Sequence, residues 1–145
     1  MKKNLILISG VLVLALVYVI FFTDWFKPKI IQISHTVRPG MGRDDAAPPA
    51  LAFGLDNEYE LTEIKVVRIT GLQNDKDPLP LWHLVSDGSD PINHFRYGEN
   101  IPGMDPAVDG AKPSALEPGV TYRLFITAGK AKGQHDFQAR VVATK

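Results

Sequence analysis

Hydrophobic positions follow two regimes along the chain. From Leu5 to Phe22 they are almost continuous, and Leu-Ile-Leu-Ile-Ser-Gly-Val-Leu-Val-Leu-Ala-Leu-Val-Tyr-Val-Ile-Phe-Phe carries no charge. As a helix this segment is about 27 Å long, close to the hydrocarbon thickness of a bilayer. Each Leu, Ile, Val and Phe favours insertion by about 0.3–0.6 kcal/mol, and the sum exceeds what Ser9, Gly10 and Tyr18 take away. A soluble helix apolar on every side needs a larger protein to bury it than 145 residues provide. The pattern predicts one transmembrane helix over residues 5–22, in contact with the lipid bilayer, after a short N-terminus at 1–4.

From Lys29 the period changes to two. Ile31, Ile33, His35 and Val37 alternate with Gln32, Ser34 and Thr36, which predicts a strand. Residues 38–49 hold Pro39-Gly40, Gly42, Asp44, Asp45, Pro48 and Pro49 without periodicity and read as a Pro/Gly-rich loop. Ala50 to Leu55 and Glu60 to Ile69 are two further strands, and the turn-forming Asp56-Asn57 between them predicts a hairpin. A second hairpin is predicted from Pro80–Ser86 and Ile92–Tyr97, separated by Asp87-Gly-Ser-Asp-Pro91. The clearest hairpin joins the alternating Tyr122, Leu124, Ile126 and Ala128 to His135, Phe137, Ala139 and Val141 across Gly129-Lys-Ala-Lys-Gly133.

About seven short strands and no amphipathic helix after the first segment predict an all-β, antiparallel β-sandwich over 29–145, joined to the membrane helix by a juxtamembrane linker at 23–28. A more specific signal lies at Leu116-Glu-Pro-Gly-Val-Thr-Tyr122, followed by Arg-Leu-Phe-Ile-Thr-Ala128 and Gly133. This Leu-x-Pro-Gly-x-x-Tyr string resembles the end of strand E, strand F and the F–G turn of fibronectin type III domains, and it recurs in other immunoglobulin-like sandwiches. The resemblance implies a tyrosine corner built from Leu116, Pro118, Gly119 and Tyr122, with Leu116 in the core beneath the ring. Two features depart from the family: an extra strand at Lys29 to Val37, and Trp82 in the third strand rather than the second.

Composition narrows the classes of function. Lys plus Arg and Asp plus Glu number 16 each, with the basic residues scattered, so no footprint for nucleic acid is present. The lack of cysteine removes disulfides, thiolate nucleophiles and thiolate metal sites together. Lys2 and Lys3 before the apolar run favour a cytoplasmic N-terminus and a periplasmic or extracellular C-terminal domain, although Lys27 and Lys29 weaken the asymmetry. Tyr18, Phe21, Phe22, Trp25 and Phe26 gather at the exit side as an interfacial belt. A cleavable signal fits the basic start and apolar run equally well. Thr23-Asp-Trp-Phe-Lys-Pro28 places bulky groups where a peptidase needs small ones, so an uncleaved anchor is expected.

Four constellations are candidates for a functional site. The unpatterned stretch from Tyr97 to Ala115 is long for a compact domain, and Glu99, Ile101, Met104 and Asp105 on it are candidate protein contacts; the commoner arrangement is a packed crossover with Ile101 and Met104 in the core. His35 and His135 lie on the apolar sides of their strands and could converge on copper or zinc, but their spacing does not demand a metal, and edge or hydrogen-bonded core histidines are the better account. Asp105 and Asp109 lack the spacing of a calcium loop. Ser86 or Ser89 beside His83 or His94 could pair as nucleophile and base, yet the chain carries no nucleophile elbow, metalloprotease helix or phosphate loop. The sequence therefore predicts no enzyme, cofactor or resident metal, and favours a membrane-anchored binding or assembly module contacting another envelope protein. A small-ligand or metal-binding sensor or carrier is the alternative, and a small hydrolase is a third.

Overall fold

The computed structural model describes residues 2–22, 27–38, 50–69 and 79–139. The Pro/Gly-rich loop beyond Arg38, the belt residues Trp25 and Phe26, and Val141 lie outside them. The first element, α1, is a helix over Lys2–Phe22, about 31 Å long at 1.5 Å per residue. Every residue on it is exposed, and it is long and apolar enough to cross a membrane. Membrane anchors and signal sequences share that length and composition. At its C-terminal end Tyr18 stacks on Phe22, one turn on, with ring centroids 5.1 Å apart.

The rest of the described chain is antiparallel β-sheet in two layers, an all-β sandwich after a single helix. One sheet has three strands in the order β1 (Ile33–Arg38), β2 (Ala50–Glu60), β5 (Pro91–Arg96). The other has five, in the order β6 (Asp105–Pro106), β4 (Trp82–Val85), β3 (Glu63–Arg68), β7 (Thr121–Ala128), β8 (Ala131–Gln138). Period two makes the core: Leu51 and Phe53 on β2 and Phe95 on β5 face Ile64 and Val66 on β3, Trp82 and Leu84 on β4, Tyr122, Leu124 and Ile126 on β7, and Phe137 on β8.

The two earlier hairpins predicted from sequence are not formed. β2 does not turn at Asp56-Asn57 but runs on to Glu60, with an irregularity in its pairing with β5 between Gly54 and Tyr59. Asp56 shapes that bulge: its carboxylate accepts hydrogen bonds from the Gln32 backbone N–H and the Tyr59 hydroxyl, and its own N–H bonds Gln32 O. The chain then crosses through Leu61-Thr62 to the other sheet, so β2 and β3 are not paired. Likewise β4 pairs with β3 and β6, while β5 pairs with β2. The turn formers Asp87 to Asp90 carry the chain between sheets, where a hairpin was expected.

The predicted β7–β8 hairpin is present and in full register from Thr121↔Gln138 to Ala128↔Ala131. Its loop is Gly129-Lys130, with positive φ only at Gly129, 59°, as a type II′ turn requires. β8 begins directly after this turn at Ala131, so Gly133 lies inside the strand.

Candidate functional site

The sandwich has a seam where the edge strands of the two sheets, β1 and β8, lie side by side. The chain enters the domain there. Ile30 forms a parallel bridge with Lys132, the Ile31 N–H donates to Lys132 O at 2.9 Å, and the Lys132 N–H donates to Lys29 O at 3.0 Å. Ile31 is 2% exposed. Lys29 places its ammonium 5.2 Å from the centre of the Tyr59 ring. Residues 29–31 therefore pair with the five-stranded sheet before the chain passes to the three-stranded one as β1. Gly133 permits the approach: a Cβ there would lie 2.7 Å from Ile31 O and 3.0 Å from Ile33 Cδ1.

Two residues further along each strand the inward positions are His35 and His135. Their rings meet across the seam, His35 Nδ1 to His135 Nε2 at 2.6 Å, with centroids 4.9 Å apart and planes at 53°. Phe137 lies beside them, 6.3 Å from the His35 ring by centroids, and is itself buried. His35 is exposed and His135 partly so, which leaves the pair accessible to solvent. On the outer face of β8, Asp136 takes two hydrogen bonds from Arg123, at 2.6 and 2.8 Å. The Arg123 guanidinium holds the Asp136 carboxyl below its ordinary range.

The 97–115 stretch is a packed crossover. Ile101 and Met104 are each 3% exposed, so neither side chain is available to a partner as the chain is folded. Asp105–Pro106 adds to the edge of β4 as β6, the Ala107 N–H bonds His83 O, and the Ser114 N–H bonds Leu81 O. Tyr97 closes the stretch on itself by donating its hydroxyl to Ser114 O at 2.7 Å, and burial pushes its phenol pKa up. Glu99 is exposed, and its carboxylate accepts the Arg96 N–H at 2.8 Å. The Tyr97 N–H is used by Leu51 O in β2, so by alternation the Arg96 N–H points to the open edge of β5, and Glu99 caps it. Asp105 is exposed, as is every residue on to Ala115, with Val108 at 69% the most prominent apolar side chain.

At the tyrosine motif, the Tyr122 hydroxyl accepts a hydrogen bond from the Glu117 N–H at 2.7 Å, and the ring is fully buried. Leu116 packs against the core at its margin, and Gly119 takes φ 76° in the turn after Pro118. Glu117 itself pairs with Arg68 at 2.6 Å, which raises the Arg68 pKa.

The serines considered as nucleophiles are engaged in backbone bonding. Ser89, 5% exposed, accepts the Leu61 N–H at 2.9 Å and donates to Asp90 O at 2.8 Å. Ser86 donates to Gly103 O and accepts the Gly88 N–H. Its N–H bonds Thr62 O, and the Ser89 N–H bonds Leu61 O, so the two sheet-to-sheet crossings are laced together. His83 bonds Glu63 at 2.8 Å and His94 bonds Asn93 at 2.7 Å. Ser89→Ala is accordingly expected to destabilise the domain by about 1–3 kcal/mol, because it strands a buried N–H. Urea unfolding reads this directly; a loss below about 0.5 kcal/mol would mean that water reaches the Leu61 amide.

The close approach at Gly133, the bond from the Leu61 amide to Ser89 and the capping role of Glu99 were not read from the sequence, which placed Gly133 in a turn and offered Ser89 as a nucleophile. For Gly133 a signal existed, a glycine inside an alternating run, which marks a close approach of another backbone. Comparison with protein-family models, curated proteins and solved structures finds no match to this chain.

Proposed function

We propose that this chain is a non-catalytic assembly module of the fibronectin type III or immunoglobulin-like class, held by residues 5–22 in a cytoplasmic membrane and contacting another envelope protein. Its N-terminus is cytoplasmic, and the sandwich stands on the periplasmic or extracellular side. The observation that carries this reading is the short connection. α1 ends at Phe22 and the sandwich begins with the docked Lys29. Even fully extended at about 3.5 Å per residue, residues 23–28 keep the domain within roughly 25 Å of the helix end.

The strand order supports the finer fold class. With β1, β2 and β5 read as strands A, B and E, and β4, β3, β7 and β8 as C′, C, F and G, each sheet has the immunoglobulin-type order, and β6 is an addition at the C′ edge. On that reading the strand at 33–38 is strand A rather than an extra one, and Trp82 stands on C′. The Tyr122 hydroxyl bonded five residues upstream is the corner that such sandwiches carry.

The contact surface is the exposed run from Asp105 to Ala115, a segment fixed at both ends by the core and carrying Val108 outward. A preorganised surface of this kind loses little freedom on binding. A photocrosslinking side chain at Asp105 or Val108 of the full-length chain in its own membrane is expected to give a discrete heavier adduct, and one at Gln138 none. No adduct at either position, together with migration as a lone chain under native conditions, would end this reading.

A further inference from the structure

Two imidazoles placed 100 positions apart in sequence, on different sheets, meet nitrogen to nitrogen at 2.6 Å. Neither ring is needed to fill the core, because His35 is exposed and the buried floor beside the pair is Phe137. A hydrogen bond between two neutral imidazoles requires one to donate and the other to accept, so a lone pair on one ring already points at the other. When both facing atoms, His35 Nδ1 and His135 Nε2, present lone pairs, they make a two-nitrogen chelate open to solvent.

We propose that His35 and His135 form a binding site for a first-row divalent transition-metal ion, taking Cu2+ most tightly, that clasps β1 to β8 across the seam. The donor set determines the class of ion. Imidazole nitrogens suit Cu2+, Ni2+ and Zn2+, whereas Ca2+ and Mg2+ require oxygen ligands. Among such ions at a nitrogen site Cu2+ binds tightest. The described residues offer no cluster of three or more His, Cys, Asp or Glu, so water completes the coordination, and the exposure of His35 gives it access.

The geometry needs a small adjustment. A tetragonal Cu2+ with metal–nitrogen bonds of about 2.0 Å spaces two neighbouring ligand nitrogens about 2.8 Å apart, and a tetrahedral Zn2+ spaces them about 3.3 Å apart. From the metal-free separation of 2.6 Å the pair must open by roughly 0.2 Å for Cu2+ and roughly 0.7 Å for Zn2+, within reach of a rotation of the exposed His35 ring. Because the ligands belong to opposite sheets, the ion ties the entry strand to the C-terminal hairpin. This site is independent of any protein partner, so its failure would leave the assembly reading untouched.

The test uses the full-length chain in detergent, stripped of metal by chelator and titrated with Cu2+ alone, with Mg2+ as control. One ion per chain is expected, with two nitrogen couplings in the electron paramagnetic resonance spectrum and a rise in Tm. His35→Gln and His135→Gln should each weaken binding about tenfold or more, and His94→Gln should not change it. Binding unaffected by either seam variant, a spectrum with no or only one nitrogen, or no uptake at all would overturn the proposal. The spectrum of the unsubstituted chain decides the matter even if a variant fails to fold.

Discussion

Phe137→Ala is expected to remove about 3–5 kcal/mol, a large share of the 5–15 kcal/mol that a domain of this size possesses. Phe137 joins the sheets. Its ring meets Phe53 of the three-stranded sheet edge-on at 5.1 Å and stacks on Tyr122 of its own sheet at 5.7 Å. It is 2% exposed although it stands on an edge strand, and the His35 ring lies beside it with centroids 6.3 Å apart. Truncation leaves a cavity that the β7–β8 hairpin, held in full register, cannot collapse to fill. Urea unfolding of the full chain, followed by tryptophan fluorescence including that of the buried Trp82, measures the loss. A change below about 1 kcal/mol would show that the seam is not closed as described.

The second large effect is expected from Gly133→Val, and it should be local. A Cβ at 133 already meets backbone, Ile31 O at 2.7 Å, and a branched side chain there expels the entry segment from β8. What is lost is the burial of Ile31, about 1.5–3 kcal/mol, and the two hydrogen bonds joining Lys29 and Ile31 to Lys132, about 0.5–1.5 kcal/mol each. Hydrogen exchange should report deprotection of the Ile31 and Lys132 amides while Val66 and Leu124, in the middle of the five-stranded sheet, keep theirs. Adding Ile31→Ala to this variant should cost almost nothing more, since both changes remove one docking event. Retained protection at Ile31 would contradict the account.

The elements were more legible in the sequence than their partners. Uninterrupted apolarity over 5–22 and alternation through Thr121–Gln138 are local patterns with local causes, so α1 and the β7–β8 hairpin could be read directly. Asp56-Asn57 and Asp87 to Asp90 mark changes in the path of the chain, but turn chemistry does not say which sheet receives the next strand. At Asp56 the competing interaction was long-range: Gln32 takes the hydrogen bonds that a turn would have closed on itself. β6 was invisible, because two residues, one of them Pro106, carry no period.

The candidate site was legible only in halves. Alternation put His35 and His135 each on an apolar side, but their meeting depends on β1 and β8 lying at the same margin of the sandwich, which is a property of topology. Ile101 and Met104 look alike in sequence whether they face a partner or the core. The structure puts both in the core, and leaves Val108, three residues past Asp105, as the outward apolar group.

The margins of the two sheets also bear on how densely such chains can be packed. Proteins confined to a bilayer collide edge to edge far more often than in free solution, and an uncovered strand is a template for runaway pairing. Here residues 29–31 cover part of β8, the two-residue β6 with its proline ends the β4 side, and the Glu99 carboxylate occupies an outward amide of β5. On the proposed reading of α1 as an anchor, these covered edges leave neighbouring copies held in one plane fewer free amides through which to pair.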